Sequence, residues 1–184
     1  MSAPVTTTLD AYHAAVISTL RATFGERIQT YGPYDPTELL DNTRPLNTPA
    51  LYLQLETADL AALPDGMPLR AHVPARISAV IHVVLSTRTA GDLQVALDVL
   101  ASAVAVLVSK AAAADRQAAA PGNRWGLGAA VTAPEGIAAI PAEWRPGANG
   151  YDSRVVRFEQ TLYLPNDPID CLAEPEPVEP DPEP

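Results

Sequence analysis

Residues 72–87 (HVPARISAVIHVVLST) constrain the fold more than any other stretch of this chain. Ile77, Ala79, Ile81, Val83 and Leu85 fall on one side of an extended backbone; Arg76, Ser78, Val80, His82, Val84 and Ser86 fall on the other. A period of two is that of a strand. The first side is apolar and belongs on a core. The second is mixed, which suits a strand that meets water at one end and a neighbour at the other. A helical pattern follows at once, over about 90–114. Leu93, Leu97, Leu100, Val104, Leu107 and Val108 make one apolar stripe, and Val95, Val99 and Val106 make a second. A helix that is apolar on two sides is buried on two sides. The sheet covers one stripe, so another helix or another subunit is expected over the other. Thr89 and Asp92 have capping-box spacing, with Asp in place of the usual Glu.

The remaining elements arrange themselves around this pair. A first helix is predicted over 8–24, with Thr7 or Thr8 as N-cap, a stripe of Leu9, His13, Val16, Ile17, Leu20 and Phe24, and Gly25 as a positive-φ terminator. A short strand over 27–31 follows. Pro33, Pro36, Pro45 and Pro49 make 32–49 a loop with at most one helical turn at 37–41. Residues 50–56 (ALYLQLE) alternate and read as a half-buried strand, and 59–70 is a connecting loop around Pro64-Asp65-Gly66. Beyond a break at Pro121-Gly122, a weak strand is expected over 127–133 and a Pro- and Gly-rich loop over 134–150. A clear strand over 153–164 ends at Pro165. The order αβ-β-β-α-β-β predicts an α+β fold: a mostly antiparallel sheet of four to five strands, packed by helices 8–24 and 90–114, with an extended C-terminal tail. One domain is expected over 1–164 and an acidic tail over 165–184.

Charge separates body from tail. The formal net charge is −10, but residues 165–184 hold seven acids, no base and seven of the nineteen prolines. Fifteen acids and twelve bases remain, so the body is close to neutral. That balance argues against a scaffold that binds nucleic acid by neutralising phosphates. An alternating Pro/acid run cannot bury enough apolar surface to fold alone and favours extended polyproline II. We therefore expect 165–184 to lie against another surface, a neighbouring subunit with arginines. The opening residues MSAPVTTTLDAYH do not have the pattern of a signal peptide, and the apolar run 93–108 falls short of the roughly 20 residues that span a bilayer. Cys171 is the only cysteine, which excludes an internal disulfide. The chain reads as soluble and intracellular when made, with no membrane partner.

A search for chemistry yields little. His72 and His82 lie ten residues apart, about 33 Å along a strand, so they cannot share a metal, and His13 sits on an apolar helix face. Gly126-Leu-Gly128 follows a helix rather than a strand and lacks the third glycine of a dinucleotide fingerprint. No catalytic residue, cofactor or metal site is predicted. The acids Asp35, Glu38 and Asp41 cluster in one loop, and a small enzyme with a carboxylate site at 35–41 is the remaining catalytic alternative. Arginine outnumbers lysine eleven to one. Its planar fork suits bidentate pairing at protein interfaces, although coding bias also favours it. Trp125 and Trp144 lie in loop-like segments beside Arg124 and Arg145; each either anchors an interface or plugs an end of the sheet. The candidate interface residues are Arg76, Trp125, Trp144, Arg145, Arg154 and Arg157.

The order and spacing of these elements resemble the tail-terminator, or tail-completion, proteins of tailed bacteriophages. The resemblance rests on the amphipathic first helix, the Thr-Pro-Ala-Leu-Tyr-Leu entry into a strand at 48–53, the long strand 76–87 followed directly by the helix from Asp92, and the Val-Val-Arg-Phe-Glu-Gln strand at 155–160. It implies a structural virion protein of tail and neck, made in the host cytoplasm. It implies a homo-hexameric ring that caps the tail tube protein, stops its polymerisation and meets a head-side connector or stopper protein. DNA would pass through such a ring without specific binding. Another neck or tail adaptor, such as a head–tail stopper, is the related alternative. A 164-residue body has a radius of gyration of about 15 Å, and six such bodies in contact leave a central hole of roughly 40 Å, wide enough for a duplex.

Overall fold

The computed structural model describes residues 6–35, 46–60, 72–87, 92–110, 122–142 and 150–165. The elements, in order, are α1 (Leu9–Phe24), β1 (Thr30–Pro33), β2 (Ala50–Leu60), β3 (His72–Ser86), α2 (Leu93–Ser109), β4 (Glu135–Ala142) and β5 (Tyr151–Pro165). Single 3-10 turns occupy Gly25–Arg27 and Gly128–Ala130. The strands form one sheet in the order β1-β2-β3-β5-β4. Only the β1–β2 pair is parallel. The α+β architecture is thus as the periodicities predict: a mostly antiparallel five-stranded sheet with two helices.

Local chemistry explains the element ends. Thr8 is the N-cap of α1, its side chain accepting from the Ala11 amide at 3.1 Å. Gly25 ends that helix at φ 55°, where a side chain would be strained. Asp92 caps α2, its carboxylate accepting from the Val95 amide at 3.2 Å; Thr89 lies outside the described residues. Among described residues α2 spans Leu93–Ser109; the outer parts of the expected helix, 111–114 included, lie outside them.

β3 is the sheet's axis. It pairs along its whole length with β5, from His72 with Pro165 to Ser86 with Tyr151. β2 pairs on its other side and runs past the expected end at residue 56, because a bulge between Leu55 and Thr57 absorbs the change of register. β1 lies at Thr30–Pro33 rather than 27–31, since residues 25–27 are still in the turn that closes α1.

The sequence reading of 127–150 is corrected. Residues 127–133 contain a 3-10 turn and one isolated bridge, Val131 to Leu162, not a strand. The strand is β4, in what reads as a loop. Gly136 and Pro141 suggest loop, but both are tolerated where β4 lies: at the sheet edge, with a register shift between Glu135 and Ala138 beside the positive-φ Gly136.

One face of the sheet carries both helices, α1 over β1 and β2, α2 over β3, β5 and β4. Tyr12, Val16 and Leu20 from α1 and Leu97, Ala101, Val104 and Val108 from α2 meet Leu51, Leu53, Ile77, Ile81, Val83, Val156, Phe158 and Leu162 in one core. The opposite face bears a smaller cluster at one end, Ala50, Tyr52 and Val84, covered by Tyr34, Leu46 and Tyr151. The Tyr151 hydroxyl accepts from the Leu46 amide at 2.9 Å. The other end of that face is charged.

Candidate interaction surfaces

Trp125 is 4% exposed and buried in its own chain, which removes it from the interface candidates. It is the plug rather than the anchor, and Gln160 explains how. The Gln160 side chain faces the core, where its amide is used in full. Its Oε1 accepts from the Tyr12 hydroxyl and from the Trp125 indole N–H, each at 2.7 Å. Its Nε2 donates to the carbonyls of Asn123 at 3.0 Å and Thr132 at 2.7 Å. One side chain on β5 therefore ties α1, the 122–132 connection and the sheet together. Burial pushes the Tyr12 phenol well above its usual range. Trp125 adopts φ 59°, followed by Gly126 at φ 80°, and its amide donates to Asn123 Oδ1 at 2.8 Å. This tight turn delivers the indole to Gln160.

Three of the candidate arginines are held by carboxylates of the same chain. Arg76 pairs with Glu159 across β3 and β5. Arg157 reaches Glu56 at 2.9 Å. Both pairs lie at the charged end of the helix-free face and remain open to solvent. Arg154 is on the helix side, its side chain only 17% exposed. Its Nε donates to Asp98 at 2.7 Å and its Nη2 to Gln94 Oε1 at 2.9 Å, and Gln94 in turn donates to Asp152. Arg154 thus fastens α2 to β5. Trp144 and Arg145 lie outside the described residues. Of the carboxylate loop at 35–41, only Asp35 is described. Among the described residues no group of three or more His, Cys, Asp or Glu could hold a metal ion, and no helix is long and apolar enough to cross a membrane.

His82 lies on the helix-free face between the apolar and charged ends. Its ring stacks on Tyr34, with centroids 4.4 Å apart, and its Nε2 is 2.7 Å from Gln54 Oε1. Burial lowers its pKa to about 4, with nearby Glu56 opposing.

Among the described residues, the helical layer carries an exposed apolar surface. Val95, Val99 and Val106 are 56%, 65% and 47% exposed. At 100° per residue they lie within about 30° of the direction opposite the buried stripe Leu97–Ala101–Val104–Val108. The second apolar stripe of α2 therefore points away from the sheet, and no described residue covers it. Ser102 and Ala103 fill the gap between its valines. α1 repeats the pattern with smaller groups, turning Ala11, Ala14, Ser18 and Ala22 outwards. That stripe was readable at helical spacing but carries no large residue to draw attention to it.

A further open depression, about 510 Å³, lies where α1 ends. Arg21, Gly25, Glu26, Ile28 and Tyr31 line it. The Arg21 guanidinium sits 5.6 Å from the centre of the Tyr31 ring, and the Tyr31 hydroxyl donates to the Gly25 carbonyl at 2.8 Å. Burial raises the Tyr31 pKa against the opposing charge of Arg21. Arg21 and Arg27 are the exposed arginines that form no ion pair among the described residues.

Comparison with models of known protein families and with curated proteins gives no match to this chain.

Proposed function

We propose that this chain is a structural subunit of a phage-tail ring. In this reading six copies cap the tail tube, stop its growth and join the tail to the head-side connector. The observation that supports it best is the exposed stripe Val95–Val99–Val106 on a helix already buried on its opposite side. A stripe of that kind on a well-packed helix marks a protein–protein contact. Two helices of about 25 Å give an outer surface of roughly 500 Å². That is below the roughly 800 Å² per partner of a standard interface. The helical layer therefore acts with other contacts, as in a ring whose subunits each meet several neighbours. The ring geometry and the tube partner come from the resemblance in element order.

Native mass spectrometry of the full chain, with electron microscopy of tails carrying a tagged copy, tests the reading. A closed six-copy ring and density at the head-proximal end of the tail are expected. A strictly monomeric protein absent from the particle overturns it, and density on the head side of the joint would make it a stopper instead.

A further inference from the structure

The outward side of α2 has a simple charge pattern. At 100° per residue, Val95, Val99, Ser102, Ala103 and Val106 lie within about 50° of the direction opposite the buried stripe. Asp92, the N-cap, and Lys110, which follows the last turn, continue the same line. Both fall about 30° from that direction and on the same flank. All seven residues are exposed. Asp98 lies a quarter turn away and is paired with Arg154. The surface is therefore acidic at one end, apolar in the middle and basic at the other, over about 27 Å.

This pattern is complementary to itself. We propose that α2 packs antiparallel against α2 of a second copy, about a two-fold axis near residue 101. That axis sets Asp92 of each copy opposite Lys110 of the other. Like flanks meet in an antiparallel pair, so the two charges lie on the same side of the contact. Val95 comes beside Val106 of the second copy and Val99 beside its Ala103, and the small Ser102 and Ala103 lie where the helices approach most closely. A parallel pair instead sets Asp92 on Asp92 and Lys110 on Lys110 and aligns the two macrodipoles. The outward side of α1 is a poorer cover. Its groups are small, and its charges Asp10 and Arg21 lie on the other flank. Packed antiparallel on α2, they miss Lys110 and Asp92 across the width of the contact; packed parallel, they meet like charges.

One helix face is smaller than the roughly 800 Å² per partner of a standard interface, so the pair is weak by itself and forms at high protein concentration. It goes beyond the ring reading and needs only a second copy; closure to six copies uses the other contacts that reading already requires. Two measurements on full-length chains test it. In a Cys171→Ser background, which removes the only native thiol, Ser102→Cys should form a disulfide with itself under oxidised glutathione, whereas Ser18→Cys on α1 should not. In sedimentation velocity over a range of concentrations, Lys110→Glu should weaken self-association about tenfold, by setting two acids opposite each other at both ends. Adding Asp92→Asn, which keeps an N-cap, should recover most of that loss. Melts of dilute samples should show the single chain unchanged. No self-linkage of Ser102→Cys, its linkage to Ser18→Cys alone, or strictly additive effects at 92 and 110 would each overturn the contact. A six-copy ring found with any of these results leaves the ring reading standing without it. Linked pairs that never reach six copies support the contact and overturn the ring. A chain that stays single in solution and is absent from the tail overturns both.

Discussion

Gln160 and His82 are both buried polar groups, but they respond to different perturbations. Gln160 is surrounded by partners that have no water to turn to. Tyr12→Phe removes one donor and leaves Gln160 Oε1 with the Trp125 indole, so the expected loss is about 1 kcal/mol. Gln160→Leu strands the Tyr12 hydroxyl, the Trp125 N–H and two carbonyls together. The expected loss is about 3 kcal/mol, or roughly 6–12 °C in Tm. Denaturant and thermal melts of the two variants check the order; equal losses would mean that the amide is not the centre of the network. His82 responds to pH. Its folded pKa of about 4 lies below the ordinary 6.5. Above pH 6.5 both states hold a neutral ring, and the shift contributes nothing. As pH falls from 6.5 towards 4, the unfolded chain takes up a proton that the folded ring refuses, so stability declines through that window and levels off below it. The size is roughly 2–3 kcal/mol. Melts of the unaltered chain and of His82→Gln between pH 7 and 4 should diverge by that amount, the variant being flatter. Parallel curves would show that His82 protonates as freely in the fold as outside it.

At the scale of elements, α2 shows how far residue periodicity carries. Its two stripes were legible, and so was the need to cover both, because a 100° repeat fixes which side chains oppose one another. The structure adds that no part of the described chain covers the second. This separates two substitutions on one helix. Leu97→Ala opens the core and should cost about 2–5 kcal/mol. Val99 is 65% exposed among the described residues, so Val99→Asp should change stability by less than about 1 kcal/mol while abolishing the proposed assembly. Melting and sedimentation measured on both variants test the split; assembly that survives Val99→Asp would remove the stripe from the interface. β4 shows where legibility ends. Gly136 and Pro141 are turn formers by local preference, and Ala138 and Ala139 give an alternation too weak to outweigh them. Only the sheet order, which puts β4 at an edge, makes both residues acceptable. Trp125 was ambiguous for a similar reason. Its loop position was visible, but its hydrogen-bond partner is 35 residues away on β5, and no local spacing predicts that approach.

For the whole molecule the decisive question is how an open sheet avoids growing. β1 and β4 are both free of a further strand among the described residues, and an uncovered edge is a template for another chain. Each edge strand contains a proline, Pro33 at the end of β1 and Pro141 near the end of β4, and β4 is also interrupted by its register shift. A proline cannot donate to a ladder, and an irregular edge strand presents few consecutive donors and acceptors to a newcomer. The proposed ring subunit would need this restraint, because sheet-edge addition has no intrinsic stop whereas a contact through a helical face does. In the proposed ring the copies would meet through the helical layer, and the edge strands would be kept from pairing. Pro141→Val tests it. Valine suits a strand and returns a donor, so the single chain should be as stable as before within about 1 kcal/mol. Its assemblies, measured by light scattering and size-exclusion chromatography, should become larger and heterogeneous. Assemblies of unchanged size would mean that β4 is kept from pairing by something other than its proline.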